Sequence, residues 1–110
     1  WRQYEAIFPA LAASRIGEVA IECRNARVPL ELLRLLDGKH VQCGVIDVAS
    51  DAVETAEDVA ALIGEIIRHV PKSRVRPTTN CGMAPMRRDI AEAKLGALAA
   101  GARLARERFG

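Results

Sequence analysis

Apolar positions along the chain follow two patterns, short runs rich in β-branched residues and longer stretches with helical spacing. The β-branched runs predict three strands, at residues 18–23, 41–48 and 74–79. The helical stretches predict segments at about 4–11, 29–36, 55–70 and 87–106. One helix therefore precedes the first strand, and a helix follows each strand.

Local signals fix several ends of these helices. Pro9 is expected to kink the first helix, because proline lacks the backbone N–H that a helix interior requires. Thr55 and Asp58 have the spacing of a capping box at the start of the third helix, with aspartate in place of the usual glutamate. Pro71 is expected to stop that helix.

The order of elements predicts an α/β fold with parallel strands and right-handed crossovers. Three βα units cannot close an eight-unit barrel, which takes about 250 residues. The 110 residues are therefore expected to form either a small open sheet or part of a larger structure. The chain starts at Trp1 without an initiator methionine, which favours a fragment, so residues 1–110 are predicted to be one partial domain.

Composition excludes several classes of protein. Half of the residues are apolar and 27% are charged, which excludes a disordered chain. The net charge of +2 does not suggest a nucleic-acid partner, and no apolar run approaches the ~20 residues of a membrane span. The N-terminal residues do not have the pattern of a signal peptide. Three cysteines cannot all pair and none belongs to a CxxC motif, so reduced thiols and a cytoplasmic protein are expected.

Candidate chemistry lies where the predicted strands end. Glu22, Asp47 and Cys81 each end or follow a strand, and parallel strands bring their carboxyl ends to one face. A carboxylate in or next to a buried strand needs a partner or a cation. A carboxylate and a thiolate from different strands form half of a tetrahedral zinc site.

Structural explanations of the same residues remain open. Glu22 pairs with Arg24 or Arg27, Asp47 caps its loop through Ser50, or Cys81 packs as a small buried hydrophobic residue. For Cys23 and Cys43 the expectation is the core, because strand alternation directs them away from Glu22 and Asp47.

Short motifs recur in an order that matches a known family. They are Val19-Ala20-Ile21-Glu22, Gly44-Val45-Ile46-Asp47-Val48, Val53-Glu54-Thr55 with Glu57, and Asn80-Cys81-Gly82-Met83 before Lys94-Leu95. Over nearly its whole length the chain resembles the C-terminal catalytic barrel of cobalamin-independent methionine synthase and its shorter relatives. The resemblance implies that the chain is the last three βα units of a (β/α)8 TIM-type barrel.

The resemblance also implies a zinc-dependent S-methyltransferase. In that family a His-x-Cys pair on an earlier strand, a glutamate and a cysteine bind zinc, and the last two match Glu22 and Cys81. The implied reaction transfers a methyl group from 5-methyltetrahydrofolate to homocysteine and gives methionine. Asp47 is the candidate catalytic residue at the same strand ends.

Departures from the family pattern define the alternatives. No His-x-Cys occurs in the sequence, so the chain is expected to be inactive alone and to need the upstream part of the barrel or a partner chain. Ala49 stands where the methionine synthases have a histidine, and Asn80 where they have an aspartate. Both changes favour a shorter relative that alkylates another thiol, such as coenzyme M. The alternative from another class is a non-catalytic α/β interaction subunit.

Overall fold

The structure is a computed structural model that describes residues 4–26 and 28–110. Three strands form one parallel sheet in the order β1-β2-β3, namely β1 (Glu18–Glu22), β2 (His40–Ile46) and β3 (Val75–Thr79). The α-helices are α1 (Tyr4–Ala13), α2 (Ala56–Ile66) and α3 (Arg88–Phe109). Short 3₁₀ helices occupy Leu30–Leu35 and Lys72–Arg74. The predicted α/β class with parallel strands is confirmed.

Two predicted elements differ from those observed. The segment expected as a two-turn α-helix is a 3₁₀ helix, Leu30–Leu35. Strand β2 ends at Ile46 rather than at residue 48, because the backbone of Asp47 bonds to side chains instead of to a neighbouring strand. The other strand and helix ends differ from the prediction by a few residues, which is usual because the last turn of a helix frays and the ends of elements are not sharply defined.

Helix starts follow the local chemistry more closely. The capping box is confirmed, because the Asp58 N–H donates to Thr55 Oγ1 at 3.0 Å and the Thr55 N–H donates to Asp58 Oδ2 at 3.0 Å. Helix α1 continues through Pro9. Phe8, beside the proline, is 1% exposed, so its burial in the core holds this segment in place, where α1 packs against the first 3₁₀ helix.

The core lies between β2 and the helices. β2 is the central strand, and its alternate side chains Val41, Cys43 and Val45 are fully buried. Their buried neighbours come from α1, from the first 3₁₀ helix and the residue that follows it, and from α2, and include Phe8, Leu33, Leu36, Val59 and Ile66. Cys23 and Cys43 are both buried, which confirms their expected place in the core. Alternation separates Cys43 from Glu22, but residues 43 and 47 are an even number apart, so it does not separate Cys43 from Asp47.

Helices α2 and α3 approach each other closely at a glycine. A Cβ atom on Gly101 would lie 2.3 Å from Cβ and Cγ1 of Val59 and 3.1 Å from the carbonyl oxygen of Ala56. This approach packs α3 directly against α2, and both helices also contact β2. Within the described residues, no helix is both long and apolar enough to cross a membrane.

We expect Gly101→Ala to lower the stability of the protein. Overpacking of this kind costs about 1 to 3 kcal/mol, which exceeds the gain of up to about 1 kcal/mol from placing alanine in a helix. Gly96→Ala is the matched control, because Gly96 lies in the same helix and a Cβ atom there would have nothing within 4 Å of it. Urea unfolding should show a loss for Gly101→Ala and a small gain for Gly96→Ala. Equal gains for both variants would contradict the close approach.

Candidate functional site

The three predicted site residues lie at the same edge of the sheet. Because β1, β2 and β3 are parallel, their carboxyl ends meet at one edge. Glu22 is the last residue of β1, Asp47 directly follows β2, and Cys81 is two residues beyond β3. Residues from three separate parts of the sequence therefore come together through the order of the strands.

Glu22 and Cys81 line one depression at this edge. It has a volume of about 290 Å³, and Gln42, Thr79 and Asn80 also line it. Asp47 does not line this depression. Asn25, which binds Asp47, lines a larger one of about 660 Å³ together with Glu22. Glu22 thus borders both depressions.

The Glu22 carboxylate has no ion pair or hydrogen bond with any other side chain in the part of the chain that the structure describes. Arg24, one of its two predicted partners, instead donates from Nε to the carbonyl of Val45 at 3.0 Å and from its terminal nitrogen to that of Asp58 at 2.8 Å. The pairing with Arg24 is therefore wrong. The other predicted partner, Arg27, lies outside the described residues. Glu22 is exposed, so its carboxylate is accessible from the depression.

Gly44 allows the chain beyond β3 to cross the end of β2. Glu22 and Thr78 are its partners on the two neighbouring strands. A Cβ atom on Gly44 would lie 2.3 Å from Oδ1 and 2.7 Å from Cα of Asn80, so no other residue fits without moving the backbone. The close approach directs residues 80 and 81 towards Glu22.

Asn80 connects the ends of all three strands. Its N–H donates to the carbonyl of Ile46 at 2.9 Å, and its Nδ2 donates to the carbonyl of Arg24 at 2.8 Å. An aspartate, which the resemblance leads one to expect here, has no N–H in its side chain and could not make the second bond. The buried Oδ1 of Asn80 has no hydrogen-bond partner among the described residues.

Cys81 is exposed, so the alternative that it packs as a buried hydrophobic residue is wrong. The Thr79 hydroxyl donates to the Cys81 carbonyl at 2.9 Å, which fixes the turn after β3. The two other cysteines are buried in the core. The neighbouring Cys23 thiol and burial raise the pKa of Cys43 far above its ordinary value, so that thiol stays neutral. Cys81 is the accessible thiol among the described residues.

The Asp47 carboxylate is held by two hydrogen bonds. Asn25 Nδ2 donates to Oδ2 at 2.9 Å, and the Ala49 N–H donates to Oδ1 at 2.9 Å. These bonds lower the pKa of Asp47, and the charges of Lys94 and Arg24 lower it further. Asp47 is therefore ionised at neutral pH. The predicted cap through Ser50 is wrong, because the Ser50 hydroxyl accepts from the Ala52 N–H instead.

The backbone of Asp47 is bound by two side chains. Its N–H donates to Glu54 Oε2 at 2.8 Å, and its carbonyl accepts from Lys94 Nζ at 2.9 Å. Lys94 Nζ also donates to Glu54 Oε1 at 3.0 Å and to the carbonyl of Ala52 at 2.7 Å. The loop between β2 and α2 is thereby connected to α3.

The sequence patterns predict no role for Asn25, Glu54 or Lys94. A signal for Lys94 was available, because it occupies an apolar position of the α3 pattern, seven residues before Gly101, and a lysine in such a position needs buried acceptors. Asn25 has a φ of 56°, a left-handed conformation that asparagine tolerates better than most residues. No sequence signal showed that its amide contacts Asp47.

Glu22 and Cys81 fit a zinc ion as two of its ligands. A carboxylate and a thiolate are both donors that zinc accepts, and here they are accessible from one depression. No group of three or more histidine, cysteine or acidic side chains with metal-binding geometry occurs in residues 4–26 and 28–110. A four-coordinate ion would need the remaining ligands from outside these residues.

Two proteins of known name are similar to this chain in sequence. A methionine synthase of Saccharolobus solfataricus is 38% identical over 107 residues, which cover 94% of this chain and 32% of that protein. A 2-hydroxypropyl-CoM lyase of Xanthobacter autotrophicus is 42% identical over 72 residues, which cover 66% of this chain and 19% of that protein. The chain thus spans a third or less of the length of these relatives.

A solved structure matches the fold. The B12-independent methionine synthase from Shewanella sp. W3-18-1 in complex with selenomethionine superimposes with a TM-score of 0.95 and is 46% identical. The match covers 98% of this chain and 32% of that one, and it confirms the predicted α/β fold as part of a TIM-type barrel. The family model for the catalytic domain of cobalamin-independent synthases matches residues 3–104. The chain therefore belongs to the cobalamin-independent synthase family.

Proposed function

We propose that the chain, residues 1–110, is the C-terminal segment of a catalytic barrel that transfers a methyl group to a thiol, with zinc as its metal. The most specific form of the proposal is transfer from 5-methyltetrahydrofolate to homocysteine, giving methionine. The observation that carries it is the depression that Glu22 and Cys81 both line at the carboxyl edge of the sheet, with a carboxylate that has no partner among the described residues and an accessible thiol. The names of the relatives support the same reaction class.

In this proposal Glu22 and Cys81 supply two of the four zinc ligands. Zinc, when bound, lowers the pKa of a coordinating thiol, so that the thiol reacts as a thiolate at neutral pH. The other two ligands, the His-x-Cys pair that the resemblance implies, come from an upstream part of the barrel or from a partner chain. The chain alone is therefore proposed to be inactive.

Asp47 is proposed to contact the substrate as an anion. Its carboxylate is ionised and fixed by Asn25 and by the backbone of Ala49. A fixed carboxylate at the site can bind a cationic group of the substrate, such as the ammonium group of an amino-acid thiol. This role accounts for a charged side chain placed directly after a buried strand.

A second candidate is alkyl transfer to a different thiol, such as coenzyme M. Two observations favour it: Ala49, which cannot transfer a proton, follows Asp47 by two residues, and a relative of this chain is a 2-hydroxypropyl-CoM lyase. Assays of the complete protein with homocysteine and with coenzyme M, each with a folate methyl donor and with an alkyl donor, separate the two. In the folate assay with homocysteine, Ala49→His is expected to raise the rate if the missing imidazole limits it.

The candidate from another class is a non-catalytic interaction subunit. It predicts that neither the protein containing this chain nor its complexes hold a His-x-Cys pair next to β1. Stoichiometric zinc together with turnover of either thiol contradicts it.

We expect Glu22→Gln and Cys81→Ser to lower the zinc affinity of the complete protein. Loss of an outer-shell partner already costs about 10- to 100-fold in metal affinity, so loss of a ligand should cost at least as much. The serine variant should be the worse of the two, because the thiolate is the softer ligand. Zinc per chain is measured by atomic absorption after dialysis against a chelator, alongside the rate of thiol methylation.

Matched controls come from the same chain. Glu18→Gln removes a carboxylate at the opposite end of β1, where Glu18 binds Arg76 at 2.9 Å, and Cys43→Ala removes a buried thiol. Both controls should retain zinc. Unchanged zinc content and unchanged methylation in Cys81→Ser would overturn the proposed site.

We expect Asn25→Gly to raise the pKa of Asp47 towards its ordinary value. The substitution removes the amide that donates to Asp47 Oδ2, which is the largest cause of the lowered pKa. Glycine tolerates the positive φ of this position, so the backbone is not strained. An NMR titration of the Asp47 carboxyl carbon measures the change. An unaltered pKa would show that Asn25 does not hold the carboxylate in solution.

A further inference from the structure

Lys94 is a fully buried cation next to the candidate site. Its side chain is 0% exposed, and its Nζ has three hydrogen-bond acceptors, the carbonyls of Asp47 and Ala52 and the carboxylate of Glu54. An ammonium group has three hydrogens to donate, so every one of them is used. Lys94 therefore has no hydrogen left with which to bind a substrate.

The ion pair that Lys94 forms with Glu54 is costly to bury. The Glu54 side chain is only 9% exposed, so both charges have lost most of their water. Apolar residues of similar volume often give equal or greater stability than such a pair. A contribution to the stability of the fold is therefore a poor explanation for this buried ion pair. The groups that the pair binds suggest a different explanation.

The pair binds both backbone polar groups of Asp47. The ladder between β2 and β3 ends with Ile46 and Thr79, so no strand residue is available to bond the N–H and C=O of Asp47. Glu54 accepts from the N–H at 2.8 Å, and Lys94 donates to the C=O at 2.9 Å. The peptide groups on both sides of the Asp47 Cα are thereby fixed, and with them the direction of its side chain.

We propose that Lys94 and Glu54 are positioning residues for Asp47. The two residues hold the Asp47 carboxylate in place for the substrate and do not touch the substrate themselves. The inference rests on the proposed function, in which Asp47 contacts the substrate. The proposal assigns a role to Lys94, a buried cation of α3 that lies 47 residues from Asp47 in the sequence.

A double-mutant cycle on the complete protein tests the proposal. Lys94→Met keeps the length of the side chain and removes its charge, and Asp47→Asn removes the anion that it is proposed to position. Misplacement of a reacting group by about 1 Å can cost on the order of 100-fold in rate, so Lys94→Met should lower kcat/KM for the thiol by about 10- to 100-fold. In the Asp47→Asn background the same change should cost less than about 2-fold, and zinc content should stay unchanged throughout. A purely structural role would give losses that multiply in the double variant.

The matched control is Lys39→Met. Lys39 is also a buried lysine, 9% exposed, but its Nζ donates to the carbonyl of Ser14 at the amino edge of the sheet, away from Asp47. It should leave kcat/KM within about 2-fold of the wild type even where it lowers the unfolding midpoint. If Lys94→Met does not fold, Glu54→Gln takes its place in the cycle. Glutamine removes the negative charge of the ion pair and retains one oxygen that can accept a hydrogen bond.

A second readout does not depend on turnover. Hydrogen exchange by NMR should show faster exchange of the Asp47 and Ala49 amides in Lys94→Met, and no change there in Lys39→Met. If the wild-type protein methylates no thiol while this exchange result holds, the proposed function fails and the positioning of Asp47 stands. Unchanged exchange of both amides, or losses that multiply in the cycle, overturns the positioning role.

Discussion

A buried backbone N–H or C=O must find a hydrogen-bond partner, and at the end of a parallel strand the ladder no longer supplies one. In this chain the partners come from segments that the sheet order brings to the carboxyl edge. The N–H groups of Cys23 and Arg24 donate to the carbonyl of Gly44, and the N–H of Asn80 donates to the carbonyl of Ile46. The residues that are proposed to carry the chemistry, at positions 22, 47 and 81, are next to these bonds in sequence. Their placement therefore follows from how the strand ends are satisfied.

The same edge brings two positively charged side chains close to Asp47. Arg24 and Lys94 donate their hydrogens to backbone carbonyls of β2, of the loop that follows it and of α2, and each lowers the pKa of Asp47 by its charge. The negative charge of Glu54 is compensated by its ion pair with Lys94. Glu22, by contrast, has no cation beside it among the described residues, so it is the carboxylate at this edge that is available to a metal ion.

How far the sequence predicts this arrangement depends on the range of the interactions involved. The capping box of Thr55 and Asp58 and the burial of Cys43 follow from spacing within a few residues, and the sequence predicts both correctly. The early end of β2 depends on Lys94, which is far away in the chain, so the apolar run to Val48 extends the predicted strand too far. The contact of Asn25 with Asp47 joins two loops, and neither loop has a pattern that specifies it.

The position of Glu22 on β1 constrains where the rest of a zinc site can come from. β2 and β3 lie to one side of β1, and Cys81 already approaches from there. On the other side lies the depression of about 660 Å³, which Tyr4, Phe8 and Val28 line together with Glu22. Since two protein ligands leave a tetrahedral ion half coordinated, the proposed site needs further donors, and the side of β1 away from β2 is where the described residues leave space for them. A strand pairing with β1 there would deliver its own carboxyl end beside Glu22, by the same rule that brings Asp47 and Cys81 to this edge.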